Sequence, residues 1–295
     1  MVAKILVTGA SGLLGQKLVR FGIGRGYDVC SLYSSHPPDG GRTFRVDITN
    51  SKDLNDRLKL EHPDVVINTA SLTDVDFCER EPEFAMRVNA TGPALLADAC
   101  KRIQAFLLHL STDYVFDGAK GNYSENDTPA PINQYGFSKL QGERSIAKHA
   151  NVCIARTSVL YGWGREHRAN FATWLYTKLS KGSRVNVVTD QLASPTLNTN
   201  LANMILELAE RRVSGLIHVA GATRASRYEF AIELAKQFNF DTSLIIPTTS
   251  DASSWIARRP KDSSLDITKA TEILRTKPMQ LGEALREFAE EALRT

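Results

Sequence analysis

The 295-residue sequence has no long hydrophobic run. No stretch of about 18 apolar residues occurs, so no spanning helix and no membrane partner is expected. Cysteine is scarce. Cys30, Cys78, Cys100 and Cys153 include no C-x-x-C pair, and the six histidines form no metal-like cluster with them. No metal site is expected, and buried reduced thiols fit a cytoplasmic location. No signal-like segment is read, because the residues after Met1 already look like a strand. Charge of one sign is lacking too. Lys and Arg number 36 against 33 Asp and Glu, a net +3. That is too weak to suggest nucleic acid, although it mildly favours an anionic ligand. Internal repeats, low-complexity tracts and long linkers are absent. What is present is a chain 42% hydrophobic and 23% charged. It can bury a sizeable core as one large α/β domain, or as a large domain with a smaller one attached.

The first half alternates short apolar runs with helical patterns. Ile5–Val7 reads as a strand, and Leu14, Leu18 and Val19 recur at helical spacing before a second strand over residues 28–33. "DVVINTA" is a strand, "EFAMRVNATGPALLADACKR" a helix, and "AFLLHLSTDYVF" a strand running into polar residues. "YGFSKLQGERSIAKHA" is a helix and "VCIARTSVLYG" another strand. Such alternation implies a parallel sheet covered on both faces. After about Gly162 the rhythm changes to loop, helix and strand. Helices are expected over 198–212, 226–240 and 281–293, a strand over 215–221, and a loop over 244–266.

"TGASGLLG" places Gly9, Gly12 and Gly15 at G-x-x-G-x-x-G spacing between a strand and a helix. Such a turn lets a pyrophosphate approach the backbone and meet the free N–H groups and dipole of the helix N-terminus. A plain strand–helix turn is the alternative. Ser11, Leu13 and Leu14 belong to the same loop. The end of the second strand, "SLYSSHPP", carries no carboxylate to hold an adenosine ribose. Ser34 and Ser35 can accept a 2′-phosphate instead. NADP(H) is therefore the preferred cofactor, with NAD(H) as the second option. Arg42 is a candidate helper.

"NQYGFSKLQGE" holds Tyr135 and Lys139 four residues apart, on one face of the expected helix. Read blandly, they are a surface pair. Read chemically, the cation lowers the phenol's pKa and readies it to exchange a proton.

"TGASGLLG", "STDYVFDG" and "YGFSKLQGE" together resemble the extended short-chain dehydrogenase/reductases, and more closely the dTDP-4-dehydrorhamnose reductase family. "INTASLTDVDFCEREP", "RVNATGPALLADAC", "DQLASPT" and "ARRPKDSSLDITK" match that family's pattern as well, so the resemblance covers nearly the whole chain. It implies a Rossmann-type doubly wound parallel sheet, with an NADP(H)-binding domain over residues 1–162. A smaller substrate-binding lobe, interleaved with it, spans 163–295. It further implies reduction of a nucleotide-linked 4-keto-6-deoxysugar, dTDP-4-dehydrorhamnose to dTDP-L-rhamnose, and is compatible with a homodimer.

In that reading Tyr135 gives the proton, and Lys139 lowers its pKa and binds the nicotinamide ribose. Thr112 bonds the substrate carbonyl, and Asn89 supports the lysine. Thr69, Ala70 and Ser71 line the cofactor, with Asp47 and Ile48 at the adenine. Thr112 and Asp113 touch the sugar. Asn170, Gln191, Arg258 and Arg259 complete the substrate site, the arginines taking its diphosphate. Val159 stands where the family's pattern has a tryptophan. Val159-Leu160-Tyr161-Gly162 is closer to the regulatory β subunit of methionine adenosyltransferase. That resemblance implies the alternative of a non-catalytic dinucleotide-binding subunit. A reductase or epimerase of another nucleotide sugar is a third reading.

Overall fold

The structure is a computed structural model and describes residues 4–164, 169–252 and 254–293. The loop expected after Gly162 falls partly outside these residues. Strand β1 (Lys4–Thr8) feeds α1 (Leu13–Gly24), and β2 (Asp28–Tyr33) and β3 (Arg42–Arg45) follow, then α2 (Ser51–Glu61) and β4 (Val65–Asn68). Helices α3 (Val75–Arg80), α4 (Pro82–Met86) and α5 (Gly92–Arg102) precede β5 (Phe106–Thr112). Helix α6 (Gln134–Ile146) leads into β6 (Val152–Thr157) and the short β7 (Leu160–Tyr161). Beyond them come α7 (Phe171–Leu179), β8 (Val185–Val188), β9 (Leu192–Ala193), β10 (Thr196–Leu197) and α8 (Asn198–Glu210). The chain continues through β11 (Gly215–His218), β12 (Ala225–Ser226), α9 (Arg227–Gln237), β13 (Ile245–Thr248), α10 (Thr268–Ile273) and α11 (Leu281–Ala292).

Seven strands form one sheet in the order β3-β2-β1-β4-β5-β6-β11, and every neighbouring pair is parallel. Period-two alternation assigns its residues to two cores. Ile5, Val7, Val65, Ile67 and Leu108 pack under α1 and α8, while Leu6, Cys30, Val66 and Leu107 pack under α2 and α5. This is why the strands read as continuous apolar runs rather than as polar–apolar alternation. The chain reverses its strand order between β1 and β4, which opens a crevice at their C-terminal ends. A third core lies outside the sheet, where Tyr161, Leu175, Phe230 and Phe288 join α7, α9 and α11. The chain leaves the sheet at β7 and returns to it for α8 and β11. All four cysteines are free and buried, and burial pushes Cys30, Cys100 and Cys153 up to about 12. Among the described residues, no helix is long and apolar enough to cross a membrane.

Three local readings differ from the structure. The helix expected over residues 83–102 contains a π-turn, Arg87–Thr91, just before Gly92-Pro93. Proline removes an N–H donor and disturbs the preceding turn. The strand expected through residue 162 is broken at Val159, whose φ is +34°, so β6 and β7 are separate. A β-branched residue is rarely found in that region. Finally, β13 lies in the segment read as loop and pairs with β8 through Ile245–Thr248. Its Pro247 and Thr248 hid a short strand from the composition.

One buried ion pair ties α6 to the sheet. Arg156 donates to both Glu143 carboxylate oxygens, at 2.9 and 2.7 Å, and Ser111 donates to Glu143 as well. Both partners are almost fully buried. Arg156→Leu leaves Glu143 unpaired in a dry site and should cost about 3–5 kcal/mol. The double variant Arg156→Leu/Glu143→Leu should recover most of that loss, as read by urea unfolding.

Candidate active site

The phosphate loop takes the form that the glycine spacing demands. Gly9 has φ +64°, and a side chain there would place its Cβ 2.6 Å from the Ala70 nitrogen. The Gly12 nitrogen donates to the Gly9 carbonyl, and Gly12 caps α1 without a side-chain bond. The first turn of α1 holds no acid, so its free N–H groups face an anion unopposed. A cleft of about 510 Å³ runs from this loop along Ser34, Ser35, Asp47 and Ile48. Thr69, Ala70 and Ser71 form its floor. The shape and donor set fit a dinucleotide's adenosine and pyrophosphate. Asp47 accepts from the nitrogen and hydroxyl of Thr49, which fixes its orientation.

The charges near Ser34 differ from the expectation. Arg42 lies at the other end of the strands, paired with Asp28 and Glu61. Arg45, at the C-terminal end of β3, instead donates to the Ser34 carbonyl at 2.9 Å, and Arg87 lines the same cleft. Strand direction decides this. Ligands gather at the C-terminal ends of a parallel sheet, and Arg42 begins its strand.

A second cavity of about 410 Å³ meets the first at Gly12, Thr69 and Ser71. It also contains Leu13, Leu14, Gly15, Thr112, Tyr135 and Lys139, with Asp113, Val159 and Asn170 at its edges. Asn133 caps α6 by accepting from the Gly136 nitrogen at 2.8 Å. A side chain on Gly142 would collide with the Asn89 carbonyl, so α6 lies hard against the π-turn. Tyr135 and Lys139 then face the C-terminal end of β5. The Lys139 ammonium donates to the Leu110 carbonyl at 2.6 Å and is almost fully buried. Burial lowers its pKa to about 8, with Glu143 opposing.

The Tyr135 phenol is pushed above its ordinary value by burial, while a hydrogen bond with Thr112 works the other way. This is opposite to the lowering expected from the i, i+4 spacing. Spacing identifies the pair but not the dielectric around it, and here desolvation outweighs charge. The result is a phenol that keeps its proton at neutral pH.

The outer residues are placed as follows. Asn89 accepts from the Ser71 hydroxyl and the Leu72 nitrogen, and donates to Leu72 and Ser138. Its carboxamide thus joins the Ser71 loop to α6, next to Lys139 in sequence. Asp113 accepts from Thr112, Ser158 and Ser263, and burial raises its pKa. With 2% exposure it offers little surface to a sugar. Asn170 caps α7 and donates to the Gly162 carbonyl.

Gln191 lies outside the cavity and accepts from Arg227. Arg258 and Arg259 line another hollow, beside Trp255 and Ile256, and Arg259 is paired with Asp76 at 3.0 Å. Arg227, Tyr114, Ser158 and Ser263 escaped the sequence reading. Only Arg227 had a local signal, its place one residue after the start of the "SRYE" capping box. A larger cavity of about 830 Å³ opens behind α1 against α11, but Glu287, Glu290 and Asp39 line it and oppose phosphate.

Lys139 yields a prediction about pH. Its folded pKa lies below the usual 10.5, so the unfolded chain holds the extra proton between about pH 8 and 10.5. The burial penalty is complete below pH 8 and fades as pH rises through that window. Lys139→Met should be the more stable protein at pH 7 by roughly 3 kcal/mol. Its advantage should shrink toward pH 10.5 in paired denaturation curves.

Known proteins resemble this chain along nearly its whole length. The model of the family described as RmlD substrate binding domain matches residues 3–294. The probable low-salt glycan biosynthesis reductase Agl14 of Haloferax volcanii is 38% identical over 271 residues, covering 89% of each chain. Methionine adenosyltransferase 2 subunit beta of Mus musculus is 30% identical over 275 residues, covering 90% of this chain and 81% of that one. The crystal structure of dTDP-4-dehydrorhamnose reductase from Bacillus anthracis, in complex with NADP, superposes with a TM-score of 0.89. It is 31% identical, with 99% of this chain and 100% of that one covered. With its phosphate loop, its Thr112–Tyr135–Lys139 cluster and a match from end to end, the chain belongs to the RmlD substrate-binding-domain family.

Proposed function

We propose that this protein uses NADPH to reduce a nucleotide-linked 4-keto-6-deoxysugar, and that dTDP-4-dehydrorhamnose, giving dTDP-L-rhamnose, is the substrate. The chain is an NAD(P)H-dependent oxidoreductase of the sugar-nucleotide reductase type. The observation that carries the finer reading is the junction of the two cavities. It sets Tyr135, Thr112 and Lys139 beside the place where a dinucleotide would end. The lobe assignment follows. Residues 1–162 bind the dinucleotide, and 163–295 bind the substrate while returning α8 and β11 to the sheet. Four free, buried thiols suit a reducing cytoplasm.

Gly9, Ser11, Gly12 and the first turn of α1 would hold the cofactor's pyrophosphate. Ser34, Ser35 and Arg45 would hold its 2′-phosphate, and Asp47 and Ile48 its adenine. The cofactor, when bound, supplies the hydride. As negative charge develops on the ketone oxygen, the Tyr135 phenol donates to it and gives up its proton. A raised pKa suits this role, because the phenol arrives protonated. Thr112 is a second donor. Its hydroxyl now donates to Asp113 at 3.0 Å, so a substrate carbonyl competes with that carboxylate for the proton. Lys139 sits buried beneath the same cavity, within reach of a ribose hydroxyl's chemistry and with Leu110 as its present acceptor.

A second reading, a non-catalytic dinucleotide-binding subunit, is favoured by Val159. It puts a small aliphatic side chain at the cavity edge where the family's pattern has a tryptophan. Turnover separates the two. NADPH oxidation across a panel of dTDP- and UDP-4-keto-sugars should show activity, greatest with dTDP-4-dehydrorhamnose. Tyr135→Phe should keep NADPH binding and lose roughly two to four orders of magnitude in rate. Tight NADPH binding without turnover of any panel member would favour the regulatory reading.

Cofactor choice is a separate test. NADPH should bind at least as tightly as NADH by nicotinamide fluorescence. Arg45→Ala should weaken NADPH about tenfold and leave NADH nearly unchanged, since a phosphate contact is worth about that much.

A further inference from the structure

Arg227 is the first residue of α9, where the Ser226–Glu229 capping box fixes the start of the helix. The Ser226 hydroxyl accepts from the Glu229 nitrogen at 3.0 Å, and Glu229 accepts from the Ser226 nitrogen at 2.7 Å. The arginine side chain is equally constrained. Its Nε donates to Gln191 Oε1 at 3.0 Å, and its backbone nitrogen donates to the Gln191 carbonyl at 3.1 Å. Its guanidinium lies near Tyr114, whose phenol pKa its charge lowers against the larger effect of burial, and 4.8 Å from the centroid of the Phe171 ring. Gln191 is itself buried at 6% exposure, which holds the clamp in place.

Arg227 lines the cavity that contains Tyr135. The neighbouring Tyr114 ring lies edge-on to Tyr135, with centroids 5.7 Å apart. Among the described residues, the other cation of that cavity is Lys139, which is bonded to Leu110. No ion pair with a carboxylate is recorded for Arg227 among the described residues. By contrast Arg259 is paired with Asp76, and Arg224 with Asp262. A half-buried guanidinium held by neutral groups has N–H donors left for a further acceptor. Planar donors of this kind suit phosphate oxygens.

Resting on the reductase reading above, we propose that Arg227 is the receptor for the substrate's diphosphate, pre-positioned by Gln191, Tyr114 and Phe171. The α1 N-terminus is matched to the dinucleotide's own phosphates, so a second diphosphate needs its own cation. Arg227 meets that need inside the cavity, whereas Arg258 and Arg259 stand in a different hollow. Gln191 is then a positioning residue. It acts through Arg227 and does not touch the ligand.

The test is calorimetric titration of NADP⁺-loaded protein with dTDP and, separately, with inorganic pyrophosphate. Arg227→Met should weaken both by about 10- to 100-fold, the loss of charge-assisted hydrogen bonds. Arg227→Lys should restore part of the affinity, and NADPH affinity should stay within about twofold, which also checks folding. Gln191→Leu, which keeps the arginine but frees it, should give a smaller loss of a few-fold. In turnover assays KM should rise more than kcat falls. Unchanged dTDP and pyrophosphate binding in Arg227→Met overturns the proposal and leaves the reductase reading standing. An equal loss of NADPH affinity also overturns it, by assigning the guanidinium to the cofactor's phosphates. So does a parent protein that binds neither probe. Arg227-dependent pyrophosphate binding without turnover of any nucleotide sugar keeps the anion receptor and rejects the reductase reading.

Discussion

The site depends on the buried pair between Glu143 and Arg156. Glu143 lies one helical turn after Lys139, and Arg156 lies in β6 beside the end of β5. The two bonds between them set both the depth and the rotation of α6 against the sheet. A buried ion pair is a poor source of net stability but a strong source of register, because any other arrangement strands a charge in a dry interior. Tyr135 and Lys139 inherit their positions from it. Glu143 also lies close enough to Lys139 to oppose the lowering of its pKa, so the same carboxylate orients the helix and tunes the lysine.

The π-turn at Arg87–Thr91 complements this constraint from the other side. That turn carries Asn89, whose backbone carbonyl meets α6 where Gly142 leaves room. Its carboxamide then bonds Ser71, Leu72 and Ser138, linking the segment after β4 to α6. Asp113 performs a similar task toward the second lobe. Its carboxylate gathers hydroxyls from Thr112, from Ser158 just before the break at Val159, and from Ser263 in the distant "RRPKDSS" segment. Three hydroxyl donors satisfy a carboxylate that burial would otherwise penalise. The bonds therefore tie the segments around Ser158 and Ser263 to the end of β5.

Much of this was legible residue by residue. The apolar runs and the glycine loop state a parallel sheet with a tight turn between its first strand and helix. The Tyr135–Lys139 spacing states which helix face matters. Arg42 and Arg45 show where local reading stops. Both are arginines of one short strand, and only the direction of that strand through the sheet sends one to Asp28 and the other to Ser34. Arg259 shows the same limit, since its partner Asp76 is remote in sequence.

The sequence by itself determined the alternation of strands and helices in the first half, the glycine-rich turn between β1 and α1, and the shared helix face of Tyr135 and Lys139. These follow from periodicity and from spacing within a few residues, which act before any long-range contact forms. Only the tertiary structure decided that Tyr135 keeps its proton, that Asp113 is a clasp, and that Arg227 rather than Arg258 faces the cavity. Those properties arise from burial and from partners brought together across more than a hundred residues, as with Asp113 and Ser263. Desolvation is a property of the assembled environment, and no short stretch of chain carries it.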